Sequence, residues 1–253
     1  MRGQNFLIDE SIAERQVFYA NVKKEDIVLE IGPGYGILTK KIAEKAGKVI
    51  AVEIDERFSS YLNNIKGVEV IWGDVLKVDL EKIEFNKIIA NIPYQISSPL
   101  TFKLLETDFD IGVIMYQKEF AERLVAKPGE KNYSRLSIMA SVHADWEILE
   151  IVPPSAFSPK PKVSSCIVRV KQTKMKFPVK DERFFAHVVK SLFSQRRKKI
   201  KNVLVNNGLM KKEDIKRIPF GEERIGHLSP EQIVELSNML WEIKNEGKNQ
   251  KNI

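Results

Sequence analysis

Glycine stands at every second position of Gly32-Pro33-Gly34-Tyr35-Gly36, directly after the run Val28-Leu29-Glu30-Ile31. Glycines in such a turn admit positive φ and let the backbone come close to a ligand. Glu53 ends a second apolar run, Lys48-Val49-Ile50-Ala51-Val52. An acid at a strand's end, about 20 positions past the glycines, is where the hydroxyl pair of a ribose is held. A third run, Val68 to Trp72, leads into Gly73-Asp74, a pair that also suits a plain turn. These residues could hold a nucleoside-bearing cofactor. The G-x-G-x-G spacing departs from the dinucleotide fingerprint G-x-G-x-x-G, and no G-x-x-x-x-G-K-[ST] run occurs, so neither a nicotinamide cofactor nor a P-loop is expected.

Two further stretches could touch a substrate. Asn91-Ile92-Pro93-Tyr94 presents one amide and one aromatic ring on a loop that Pro93 keeps non-helical. Prolines at 153, 154, 159 and 161 stiffen a second loop, with Phe157 in its middle among small polar residues. A phenylalanine held there is a candidate for an exposed stacking surface. His143, His187 and His227 are far apart and nothing has zinc-ligand spacing, so no metal site is expected. The single cysteine, Cys166, reads as a small buried residue and excludes an internal disulfide framework.

Positioning these groups takes an α/β sheet. The runs ending at Ile31, Val52, Trp72 and Ala90 read as strands, and helical spacing follows the first in Ile37, Leu38, Ile42 and Ala43. Ligands gather at the carboxyl ends of strands in such sheets, so Glu53 and Asp74 should sit side by side. Ser11 is expected to cap a helix through Ala20, Asp55 one through Ile65, and Ser97 or Ser98 one with Pro99 in its first turn. A strand over 110–115, helices over 119–125 and 134–144, and strands over 145–152 and 164–170 complete this part. From Lys174 the pattern becomes helical. Phe184, Phe185, Val188, Val189, Leu192 and Phe193 share one helix face, and a last helix opens at Ser229-Pro230 before a polar tail from Asn245. The expected division is a catalytic domain over 1–174 and a small all-helical domain over 175–253.

The 253 residues carry 41 Lys plus Arg against 34 Asp plus Glu, a net charge of +7. Arg196, Arg197, Lys198, Lys199 and Lys201 cluster with no acid among them. Clustered positive charge is the footprint of a polyanion such as RNA. No apolar run reaches the ~20 residues that span a bilayer, and Met1-Arg2-Gly3-Gln4 is no signal peptide. A cytoplasmic setting is expected.

The loop E-x-G-x-G-x-G with its distant acid resembles that of methyltransferases that use S-adenosylmethionine. Asn91-Ile92-Pro93-Tyr94 resembles the motif of those that modify exocyclic amino groups. With Gln4-Asn5-Phe6-Leu7, Gln95-Ile96-Ser97-Ser98-Pro99 and the Phe157 loop, the chain is similar to the KsgA/Dim family of ribosomal RNA adenine dimethyltransferases, from Gly3 to at least Arg197. The resemblance implies a Rossmann-like fold and S-adenosylmethionine as cofactor. Its implied activity is dimethylation at N6 of two adjacent adenosines near the 3′ end of small-subunit RNA, within an immature small ribosomal subunit, by a monomer. It also implies roles. Asn5 and Leu7 close over the methionine part of the cofactor, with Gln4 beside them. Gly32 and Gly34 line its path beyond Glu30. Glu53 takes the ribose and Asp74 the adenine amino group, next to Ile54 and Val75. Asn91 and the Ile92 carbonyl accept hydrogen bonds from the target amino group, and Tyr94 and Phe157 stack on the target base around Pro93. Members usually carry a basic arm ahead of this segment, and this chain begins almost at it, so no RNA contact is assigned to an arm.

The chemistry agrees with that assignment. The N6 lone pair of adenine is delocalised into the ring. Acceptors on its hydrogens favour pyramidal nitrogen and free the pair for attack. The methylated nitrogen is acidic, so no strong side-chain base is needed near Asn91. Two rivals are an Erm-like enzyme acting on large-subunit RNA and a non-catalytic small-subunit assembly factor on the same fold. The residues after Tyr94 and the Pro153-to-Val163 loop resemble the small-subunit enzymes more than the first, and the intact Asn91-to-Tyr94 loop argues against the second.

Overall fold

The computed structural model describes residues 5–173 and 177–249. In chain order the elements are β1 (Phe6–Leu7), α1 (Glu10–Tyr19), β2 (Ile27–Ile31), α2 (Ile37–Ala43), β3 (Lys48–Glu53), α3 (Ser59–Leu62), β4 (Val68–Trp72), β5 (Lys87–Asn91), α4 (Ser97–Leu105), β6 (Ile111–Gln117), α5 (Lys118–Val125), α6 (Arg135–His143), β7 (Ala144–Val152), β8 (Phe157–Ser158), β9 (Ser165–Gln172), α7 (Glu182–Ser194), α8 (Ile200–Asn206) and α9 (Pro230–Asn249). They form two compact units, Met1–Glu122 with Ala144–Thr173, and Arg123–His143 with Lys174–Ile253.

The first unit is a seven-stranded sheet in the order β4-β3-β2-β5-β6-β9-β7. The strands from β4 to β6 run parallel, and β9 lies antiparallel between β6 and β7. Val28, Leu29, Ile88, Ile89 and Ala90 are fully buried, the near-continuous apolar pattern of parallel strands covered on both faces. Ile12, Ala13 and Val17 of α1 and Leu38 and Ile42 of α2 pack with Val28, Val49, Ile89 and Val113 on one face. The order reverses between β2 and β5, and the carboxyl ends of strands at such a switch point open a crevice.

Two cap assignments change. Asp9, not Ser11, caps α1: its Oδ1 accepts from the Ser11 backbone N–H at 3.0 Å, and its φ of −92° and ψ of 103° keep it extended while Ser11 already lies in the helix. No side chain caps α4. A 3₁₀ turn over Tyr94–Ile96 leads straight into it, and the Ser97 hydroxyl is buried without a partner.

The second unit is helical. Asp181 caps α7, accepting from Phe184 N–H at 2.8 Å, and Phe185, Val188, Val189 and Leu192 join Ile200, Val203, Leu204, Ile233 and Leu236 in its core. The expected boundary near residue 174 misses part of it. Arg123–His143 belongs here because Tyr133, Ile138 and Val142 bury in this core, and the Tyr133 hydroxyl donates to the Leu228 carbonyl at 2.8 Å. Helix α9 runs to Asn249, past the expected start of a polar tail at Asn245, and Glu246 in that stretch pairs with Arg217. No helix among the described residues is long and apolar enough to cross a membrane.

Candidate active site

A cavity of about 480 Å³ opens at the carboxyl ends of β2, β3, β4 and β5. Its floor begins at the glycine turn. Gly32 and Gly34 have φ of 69° and 53°, and a Cβ on Gly34 would lie 3.1 Å from the Phe6 ring, so a side chain there would be strained twice over. Glu53 is 3% exposed and firmly oriented. Its Oε2 accepts from Gly34 N–H at 3.1 Å and its Oε1 from Asp55 N–H at 3.0 Å. The Gly73 N–H donates to the Glu53 carbonyl at 2.8 Å, which sets Asp74 beside Glu53. Asp74 does form a turn, its Oδ1 accepting from Leu76 N–H at 3.0 Å, yet it also lines the cavity.

Asn5, Leu7, Glu30, Gly32, Gly34, Ile54, Val75 and Asn91 line this same cavity with Glu53 and Asp74. Gln4 lies outside the described residues. Glu30 is 1% exposed and its Oε2 has no hydrogen-bond partner. Burial pushes its carboxyl up to about 8; the Thr39 hydroxyl opposes the shift and the charge of Glu53 adds to it.

The loop after β5 completes the cavity with Asn91, Ile92, Pro93 and Tyr94. The Asn91 side-chain oxygen is buried and has no partner, an arrangement that costs stability and that native structures seldom keep without a reason. The Tyr94 hydroxyl meets Ser165 Oγ at 2.7 Å, which anchors the ring from β9. Phe157 is not the exposed platform expected of it. It is 5% exposed, pairs with Leu7 in a two-stranded antiparallel sheet of β1 and β8, and packs with Leu7, Val152 and Ala156. Its ring still borders the cavity.

The family described as ribosomal RNA adenine dimethylase matches residues 2–242. The chain belongs to that family. It is accordingly an rRNA adenine methyltransferase. A probable ribosomal RNA small subunit methyltransferase A from Methanococcus maripaludis is 46% identical over 256 residues, covering 95% of this chain and 97% of its own. The crystal structure of a dimethyladenosine transferase from Plasmodium falciparum superposes with a TM-score of 0.81 at 31% identity, over 96% of this chain and 98% of that one. The 23S rRNA methyltransferase ErmE gives 0.72 at 26% identity, over 93% of this chain and 99% of that one.

In this family member the basic cluster of the helical unit divides. The Arg196 guanidinium donates to the carbonyls of Lys131 at 2.9 Å and Glu130 at 2.8 Å, and its Nε would lie 3.0 Å from a Cβ on Gly226. It is a structural tie. Lys199 and Lys201 both pair with Glu222 and hold that carboxyl well below the ordinary carboxylate range. Arg197 and Lys198 are at the surface and make no such pair among the described residues.

Sequence reasoning passed over Phe6, Tyr35 and Met115, which also line the cavity. Phe6 and Tyr35 meet edge-on with ring centroids 4.9 Å apart, and Phe58 joins both. Met115 stands opposite Asn91 in the β5–β6 register. The available signal was position alone: each adjoins, or pairs with, a residue already singled out. Among the described residues no cluster of His, Cys, Asp or Glu could hold a metal ion.

Proposed function

We propose that this chain binds S-adenosylmethionine in the cavity and dimethylates N6 of two adjacent adenosines near the 3′ end of small-subunit ribosomal RNA, acting in the cytoplasm as a monomer on immature small subunits. The observation that carries the reading is the buried, partnerless Asn91 oxygen at the edge of a cavity walled by Glu53 and Asp74. The residues fit the cofactor: two glycines with positive φ leave the floor to backbone, and the two carboxylates stand on adjacent strand ends. Glu53 would hold the ribose hydroxyls, Asp74 the adenine amino group between Ile54 and Val75, and Asn5 and Leu7 the methionine part. When bound, the cofactor supplies an electrophilic methyl group on a sulfonium.

The rest is positioning by the chain. Asn91 Oδ1 and the Ile92 carbonyl accept the two hydrogens of the target amino group and favour a pyramidal nitrogen, as a pair of fixed dipoles aimed at developing charge. Tyr94 and Phe157 hold the unstacked base, at roughly 1–3 kcal/mol for each ring that stacks. The Tyr94–Ser165 hydrogen bond limits how far that ring can turn. Apolar walls exclude water from the reacting atoms. Within the basic cluster Arg197 and Lys198, exposed and without an ion pair among the described residues, are available to meet RNA phosphates.

The small-subunit reading is supported by the Methanococcus maripaludis relative, which is named a probable small subunit methyltransferase. Its test is incubation of the full chain with methyl-labelled S-adenosylmethionine and either immature small subunits or large-subunit RNA, followed by mapping of the modified bases. Two adjacent dimethyladenosines near the 3′ end of the small-subunit RNA are expected. Label confined to large-subunit RNA overturns the assignment.

A further inference from the structure

Methyl transfer by these residues leaves one carboxyl group in the cavity wall unused. Glu30 lies on β2, opposite Ala51 of β3 and Ile89 of β5. Side chains alternate along a strand, so Glu30 shares one sheet face with Glu53 and Asn91, two residues further along their strands. It lines the cavity at 1% exposure with one oxygen unpartnered.

Among the described residues, the groups around it include no cation. From β3, Glu53 faces it as a like charge whose own oxygens take the Gly34 and Asp55 amides. From α2 comes the buried Thr39 hydroxyl, a neutral group that favours the ionised form of Glu30. Of the lysines on that helix, Lys41 pairs with Glu10 and Glu14, and Lys40 is exposed. From α1, Gln16 is the polar residue that is buried, and it carries no charge. Lys87, the basic residue of β5, sits at the strand's opposite end and pairs with Asp26 at 2.8 Å. A carboxylate desolvated in such a wall is costly, and a nearby positive charge is what would relieve that cost.

Resting on the proposed cofactor site, we propose that Glu30 reads the charge of the cofactor: it is a neutral carboxylic acid in the empty cavity, gives its proton to solvent when a cationic sulfonium compound enters, and takes one back when the uncharged thioether replaces it. The proton balance closes. Each methyl transfer from sulfonium to amine liberates one proton overall; Glu30 moves one release to the binding step and recovers it after the transfer. The sulfonium form is thereby favoured over the product in a cavity that must bind one and discard the other. Glu30 is a positioning and selectivity residue in this scheme and touches no transferring atom.

Calorimetry of the full chain with S-adenosylmethionine and with S-adenosylhomocysteine, in buffers of different ionisation enthalpy, reads the proton count directly. Near pH 7 the parent should release close to one more proton per S-adenosylmethionine bound than Glu30→Gln does, because protons lost by the ligand's own amino group cancel between the two proteins. Its affinity should rise with pH by up to about tenfold per unit below about 8, where Glu30 carries its proton in the empty site. Affinity for S-adenosylhomocysteine should differ between parent and variant by a pH-independent factor only. Equal proton counts in parent and variant overturn the inference and leave the cofactor site standing. No binding of either compound to the parent overturns the cofactor reading and this inference with it. Infrared difference spectra of the parent alone test the same point without a variant: the band of a protonated carboxyl should vanish with the sulfonium compound and persist with the thioether, and its persistence with both refutes the scheme.

Discussion

Asn91→Ala should separate stability from turnover. Asn91 ends β5, and its Oδ1 is buried without a partner. A buried acceptor left unpaired costs about 1–3 kcal/mol. Alanine removes that cost. It removes side-chain packing too, but at the edge of a cavity that already measures about 480 Å³, so it opens no new sealed void of the kind that makes core truncations expensive. The two effects oppose, and the folded chain should change by no more than about 1 kcal/mol, a shift of roughly 2–4 °C in Tm for a chain of this size. Turnover should move much further. In the proposed function the oxygen accepts from an amino group whose nitrogen changes geometry on reaction, so its loss should fall on the transition state more than on binding. The expected fall is at least ~100-fold, near 2.7 kcal/mol, the scale of one preorganised hydrogen bond. Single-turnover methylation of small subunits, calorimetry with S-adenosylmethionine and thermal melts check the three quantities on one preparation. Methylation at the parent rate refutes the role of the oxygen. A stability loss beyond about 3 kcal/mol with proportionate loss of cofactor binding refutes it too, because Asn91 would then be a support of the strand end.

Other substitutions test the neighbouring claims. Glu53→Ala and Asp74→Ala should each weaken S-adenosylmethionine binding in calorimetry, Glu53→Ala more, since charge-assisted hydrogen bonds are worth about 1.5–3 kcal/mol each; unchanged affinity in both places the cofactor elsewhere. Arg197→Ala with Lys198→Ala should lower the salt slope of RNA binding by up to about 0.7 for each phosphate no longer neutralised without moving the melting curve, whereas Arg196→Ala should destabilise the helical unit by about 1–2 kcal/mol through its hydrogen bonds to two carbonyls; equal effects of both on RNA binding and melting would refute the division. Burial pushes the Glu30 carboxyl in the folded chain up to about 8 from an ordinary value of 4.5. Parent stability should therefore fall as pH rises through that window, by up to about 1.4 kcal/mol per pH unit, and level off above it; urea unfolding at pH 5, 6.5 and 8 should show Glu30→Gln gaining on the parent across the series, and a constant difference would contradict the burial argument.

Some features of the chain are legible in its sequence and others are not, for different physical reasons. The glycine turn, Glu53, Asp74 and the Asn91 loop are each placed by the strand that immediately precedes them. Once β2, β3, β4 and β5 are recognised as parallel neighbours, register carries their ends to one edge of the sheet, as Glu53 opposite Trp72 and Asn91 opposite Met115 show. Local spacing is enough for that. Phe157 depends on something else. Its burial comes from pairing with Leu7, at the other end of the catalytic unit's sequence, and no pattern around the proline loop announces a partner so distant. Arg196 has distant partners of the same kind. A run of cations looks like one solvated face, yet the carbonyls of Glu130 and Lys131 single out one side chain of that run as a tie. A single boundary at 174 leaves out Arg123–His143 because Ile138 and Val142 give α6 an ordinary apolar face, and periodicity states that a face is buried without stating in which core. Phe157 and Arg196 thus exchange the roles their local surroundings imply: the aromatic residue in a polar loop is packed, and the cation in a basic cluster is bound to backbone. In both cases the long-range partner had the larger free energy to offer. Burying a phenylalanine ring is worth about 1.5–3 kcal/mol and a hydrogen bond from a charged donor about as much at best, whereas an exposed ring or a solvated guanidinium gains almost nothing until RNA arrives. Among the groups left open in the folded chain are the partnerless oxygens of Asn91 and Glu30, which border the cavity, and Arg197 and Lys198, which make no ion pair among the described residues. Those are the groups whose free energy is still available to a ligand, and the function of the chain is best sought there.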